Sequence, residues 1–163
     1  MLAALAFMLV ANFAWAGGSL FALTDEVRGA FIVELRESFP SVELTEWFSE
    51  GVDNPTHLKA DLSDRAFDEA VGIVHRELRA TVSKDSPQIH LGLLALQYAS
   101  AGVAREIETV LRTRGPVGTF KTGKLLIRFT TVRRESDVLV AYSETPLRPE
   151  IEALFESIRR SSS

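Results

Sequence analysis

The 163-residue chain contains no cysteine. That single absence removes disulfide cross-links, thiolate zinc centres, a cysteine nucleophile and lipid attachment through an N-terminal cysteine. Charge is missing from two stretches. Residues 1–23 carry no ionisable side chain, and no Lys or Arg occurs before Arg28. Between Thr109 and Arg134 there is no Asp or Glu. Also lacking are a G-x-S-x-G elbow for a serine hydrolase, an internal repeat and a low-complexity linker.

The uncharged opening is long enough, at about 1.5 Å of helical rise per residue, to cross a ~30 Å hydrocarbon layer. It reads as a signal peptide or a membrane-anchor helix over residues 1–23, followed by one domain over residues 24–163. Ala14-Trp15-Ala16 before Gly17-Gly18 supplies a small-residue cleavage pattern, but the basic start of a signal peptide is absent. Asp25, Glu26 and Arg28 after the segment favour placing the domain outside the cytoplasm. The competing reading is an apolar helix buried in the domain, because Asn12, Gly17 and Gly18 interrupt the span.

About 140 residues remain, enough for one core. Thr24, Asp25 and Glu26 start a helix with Val27, Phe31 and Leu35 at four-residue spacing, and Phe39-Pro40 ends it. Val42 to Phe48 and Thr56 to Leu62 read as a strand pair across a turn-rich interval. A helix then follows Ser63 or Asp64, with Phe67, Val71, Val74, Leu78 and Val82 inward. Gln88 to Tyr98 is apolar on both faces, as in a central strand. Residues 101–114 fit both a helix face and strand alternation; Ser100 as a cap and Gly115-Pro116 as a stop favour the helix. Thr119 to Val132 and Val138 to Ser143 read as a long hairpin with a bend or bulge at Gly123, and Pro149 opens a closing helix. The sum is an α+β domain: a mostly antiparallel sheet of about five strands with helices packed on it, preceded by the N-terminal apolar helix.

Candidate chemistry is sparse. Gly118 to Lys124 has the spacing of a phosphate-binding loop, but Leu125 replaces the Ser or Thr that holds Mg²⁺, and strand-like residues follow where a helix is needed. The three histidines, His57, His75 and His90, fall on three different segments without metal-motif spacing. Asp61, Asp64, Asp68 and Glu69 are accounted for by helix capping and dipole compensation. Adjacent Trp47 and Phe48 would point to opposite faces of a strand, the outward one being a candidate partner contact.

No catalytic residue, cofactor or metal site is assigned. Residues 1–83 hold six Lys/Arg against thirteen Asp/Glu, and residues 84–163 hold twelve against nine, leaving charges of −7 and +3. Arg112, Arg114, Lys121, Lys124, Arg128, Arg133 and Arg134 make the acid-free stretch a candidate anion or partner contact, or else a face paired with acids of the same chain. The reading that follows is an exported or membrane-anchored, non-catalytic domain acting through a protein or envelope partner. Two alternatives stand beside it: an enzyme using His57, His90 and nearby carboxylates, and an anionic-surface binder through residues 112–134. Acidity and the lack of an aromatic platform argue against nucleic acid. The oligomeric state is open.

Overall fold

Four-residue spacing of Val27, Phe31 and Leu35 produces the first helix of the computed structural model, which describes residues 20–50, 58, 62–114, 118–122 and 124–161. This helix, α1 (Leu20–Ser38), ends where the Phe39 amide donates to the Leu35 carbonyl ahead of Pro40. The chain continues through β1 (Glu43–Glu50), the short helix α2 (Asp64–Asp68), β2 (Ala70–Thr81) and β3 (Ile89–Tyr98). Helix α3 (Ala101–Arg112), strands β4 (Gly118–Thr122), β5 (Leu125–Arg134) and β6 (Asp137–Glu144), and helix α4 (Pro149–Ser161) complete it.

All six strands form one antiparallel sheet in the order β1-β2-β3-β6-β5-β4. The result is the expected α+β architecture with one more strand. Where a single bent strand was expected from Thr119 to Val132, the chain instead makes a tight hairpin, β4 against β5. Gly118 opens β4, and strand β5 follows where a phosphate-binding loop would need a helix.

Period-two alternation divides the sheet into two covered faces. On the first, α1 and α4 bury Leu23, Phe31, Leu35, Leu154 and Phe155 against Val74, Leu78, Leu91, Leu93, Leu139 and Ala141. On the second, Leu58, Leu62, Ala66 and the α3 residues Ala104, Ile107 and Leu111 lie against Leu94, Leu96, Phe129, Val138, Val140 and Tyr142. Both flanks of β3 and β6 are therefore apolar, as the unbroken run from Ile89 to Tyr98 requires. Ser100 caps α3 by accepting from the Val103 amide at 3.3 Å.

One register row crosses the whole second face. From edge to edge it reads Trp47, Glu77, Gly92, Tyr142, Phe129 and Gly118. The rings of Tyr142 and Phe129 lie over the two glycines, where an added Cβ would stand 2.0 and 2.2 Å from ring carbons.

The structure corrects three local expectations. The helix expected from Ser63 through Val82 is only α2 plus β2. Ser63 does cap it, accepting from the Ala66 amide at 3.3 Å, but helix gives way to strand after Glu69. Val74 and Leu78 are four apart and share a side in either conformation. Val71 separates the two: expected inward, it is 66% exposed, whereas His75 is fully buried. Tertiary pairing with strands on both sides overrides the helical pattern. Of the strand expected over Thr56 to Leu62, only Leu58 and Leu62 are described; both are helical and buried, and β1 pairs with β2 instead. Trp47 and Phe48 do not divide into one inward and one outward residue. They are 51% and 43% exposed, because β1 is an edge strand.

The membrane reading is also overturned. Among the described residues no helix is long and apolar enough to cross a membrane. The segment boundary drawn at Leu23 falls inside α1, whose Leu23, Val27, Phe31 and Leu35 form a core face. The helix's polar side is tied to the sheet. Arg28 grips Glu46 with both ends of its guanidinium at 2.6 and 2.5 Å, Asp25 meets Arg76 at 2.7 Å, and Glu26 accepts two hydrogen bonds from Arg134 at 3.2 Å. A helix with one face in a core and the other in ion pairs is a layer of the domain. Anchoring, export and an envelope partner, which were argued from residues 1–23, thus lose their support; residues 1–19 lie outside the described set.

Candidate functional site

The densest polar constellation sits on the second face, where β2, β3 and β6 lie side by side. Strand geometry sends His75, Glu77 and Arg79 to the same face of β2, and the register sets Glu77 opposite Gly92. Gly92 leaves the space into which the Tyr142 ring leans. The Tyr142 hydroxyl donates to Glu77 Oε1 at 2.9 Å, and His75 Nε2 lies 2.5 Å from the Tyr142 hydroxyl oxygen. Because the hydroxyl proton is directed at Glu77, the His75 nitrogen is the donor of the shorter bond. Trp47, on the neighbouring edge strand, packs edge-on against His75 at 5.1 Å between centroids.

His90 completes the group from β3. Its ring is 6% exposed and stands 5.8 Å from the Tyr142 ring in an edge arrangement. Its Nε2 is 3.9 Å from Glu77 Oε2 and its Nδ1 is 3.9 Å from Glu144 Oε1. Those separations suit ion pairing and are too long for hydrogen bonds, and both nitrogens are buried without a hydrogen-bond partner among the described residues. Arg79 Nη2 reaches Glu144 at 3.6 Å.

Electrostatics follow from this packing. His90 draws the Glu77 carboxyl down to about 2; burial opposes the shift, and the Tyr142 hydroxyl assists it. Tyr142 is held well above the ordinary phenol range, first by burial and then by the adjacent Glu77 charge. The cluster thus has a fixed anion and a tyrosine that stays protonated. No three His, Asp or Glu side chains converge to hold a metal among the described residues.

Sequence reading named His75 and His90 but left them unconnected, and it missed Glu77 and Tyr142. Misassigning residues 70–81 to a helix caused the omission, since positions two apart on a helix do not face each other. His57 lies outside the described residues.

The seven basic residues do not form one surface. Arg112 and Arg133 both pair with Glu108 at 3.0 Å on the second face. Arg134 is held by Glu26 on the first. Arg114 is exposed after the end of α3. Arg128 lines a cleft of about 410 Å³ with Leu147, Glu152, Phe155 and Arg159. Lys121 and Lys124 are exposed at the β4 edge.

Compared with protein-family models, with curated proteins and with solved structures, the chain matches none.

Proposed function

We propose that the chain is a proton-responsive domain in which the protonation state of His90 sets how tightly β2, β3 and β6 are joined across the second face. The position of the imidazole carries this reading: both nitrogens are buried without hydrogen bonds to any of the described residues, and each stands 3.9 Å from a carboxylate oxygen. A neutral ring has one donor and one acceptor, so one carboxylate always faces a lone pair, whereas the imidazolium offers a donor to both. With a donor on each nitrogen, the two separations can shorten toward the ~2.8 Å of charge-assisted hydrogen bonds. Both nitrogens are closed off from solvent, and a proton is the ligand small enough to reach them.

The charged groups facing His90 are Glu77 and Arg79 from β2 and Glu144 from β6, and the polar Tyr142 ring stands beside it. Glu77 stays ionised down to about pH 2 and remains an acceptor throughout the range in which imidazoles ordinarily titrate.

Ring-nitrogen and carboxyl-carbon NMR on the full chain tests the proposal. Across a pH series, the protonated His90 ring is expected to carry two N–H groups that exchange slowly with water. The Glu77 and Glu144 carboxyl carbons shift in the same step, and His90→Gln abolishes that shift. Ring protonation without any response at Glu77 or Glu144 overturns the reading.

A further inference from the structure

The sheet order puts the chain's two oppositely charged halves at opposite ends of one sheet. At one end, β1 pairs only with β2 among the described residues, and its charged residues are Glu43, Glu46 and Glu50, with no base on the strand. Arg28 and Arg76 occupy Glu46, which leaves Glu43 exposed and Glu50 at the far end of the strand. At the other end, β4 pairs only with β5 among the described residues and carries Lys121, with Lys124 in the turn that follows. Both lysines are exposed, and no acid lies within the whole interval from Thr109 to Arg134. Each end also displays large apolar side chains: Trp47 and Phe48 on β1, Leu125 and Leu126 beside β4.

Strand direction matches as well as charge. Each neighbour in the six-strand order is antiparallel, so β1 and β4, five steps apart, run in opposite directions. A second copy placed beside the first in the same orientation therefore brings its β4 antiparallel to β1, with helical faces aligned. A like-with-like β1 contact would instead oppose glutamates, and a β4 contact would oppose lysines.

We propose that copies of this chain associate head to tail, the acidic β1 edge of one adding to the basic β4 edge of the next and extending the sheet. The inference is independent of the His90 reading. Open edges of this kind are templates for strand addition, and edge charge decides which additions are tolerated. A contact between two different surfaces does not close on itself at two copies, so association grows with concentration.

Sedimentation velocity with the full chain, from micromolar to millimolar concentration and at low and high salt, tests this. Species larger than a dimer are expected to accumulate at low salt and to decline at high salt. Glu43→Lys/Glu50→Lys should remain monomeric, as should Lys121→Glu/Lys124→Glu, with circular dichroism confirming that both are folded. Mixing the two variants in equal amounts should restore association, because each then presents the charge the other needs. A parent chain that stays monomeric throughout overturns the proposal, as does a closed dimer indifferent to the Lys121 and Lys124 changes.

Discussion

Gly92→Ala tests whether the histidine and tyrosine constellation depends on a missing side chain. The added methyl would stand 2.0, 2.3 and 2.4 Å from three carbons of the Tyr142 ring, against the ~3.5–4.0 Å of ordinary carbon contact. The ring must withdraw by about 1.5 Å to restore that separation. Tyr142 is 2% exposed and packs near Phe120, so its retreat disturbs the surrounding core. A movement of that size also breaks the hydrogen bonds to His75 and Glu77, now 2.5 and 2.9 Å. Overpacking of this kind costs about 1–3 kcal/mol. Leaving a buried hydroxyl and a carboxylate without each other adds about 1–3 kcal/mol.

The expected destabilisation is about 2–6 kcal/mol, a large share of the ~5–15 kcal/mol typical of a domain. Urea unfolding followed by circular dichroism measures it directly. In a Tyr142→Leu background the same glycine change should cost less than about 1 kcal/mol, since the clashing ring is gone. A Gly92→Ala protein within about 0.5 kcal/mol of the parent refutes the close-approach argument.

Two more changes probe other layers. Glu77 has its folded pKa depressed from 4.5 to about 2 by His90 and Tyr142, so its contribution is fully present above the unfolded value and is lost as pH falls through about 2. Urea midpoints recorded between these pH values should fall more steeply for the parent than for Glu77→Gln, and parallel slopes would contradict the assignment. Phe31→Ala removes a ring 1% exposed between α1 and the sheet and should cost about 3–5 kcal/mol in the same unfolding assay. A change below about 1 kcal/mol would mean that α1 is not part of the cooperative core.

Much of the architecture was legible because local and tertiary signals agree. The run from Ile89 to Tyr98 is apolar at every phase, and only a central strand or a fully buried helix accepts that pattern. Ser100 and Pro149 mark helix starts by chemistry that needs no distant partner. Residues 70–81 show where such reading stops. Val74 and Leu78 satisfy both periods, and the deciding fact, burial of His75 and the bond between Glu77 and Tyr142, depends on a residue in the last strand. The candidate site was invisible for the same reason: its members come from three strands whose adjacency is set by β3 pairing with β6. The uncharged start pointed toward lipid because composition alone cannot show that Leu23, at its end, belongs to a helix packed in a core with Val74 and Phe155. Ion pairs of Asp25, Glu26 and Arg28 with β1, β2 and β5 supplied what composition lacked.

The bare α-carbons at Gly92 and Gly118 have a further consequence for how the strands find their alignment. Strands β5 and β6 are joined by a two-residue link whose Glu135 has φ of 49°, so their relative offset is dictated locally. Strands β3 and β6 have no such link, since α3, β4 and β5 intervene. Sliding β6 by one position would turn the Tyr142 ring to the opposite side of the sheet. Sliding it by two would drive the ring into the side chain of His90 or Leu94. The notch at Gly92 therefore works as a key for the seam between the two halves of the chain, selecting one alignment by shape where chain connectivity provides none.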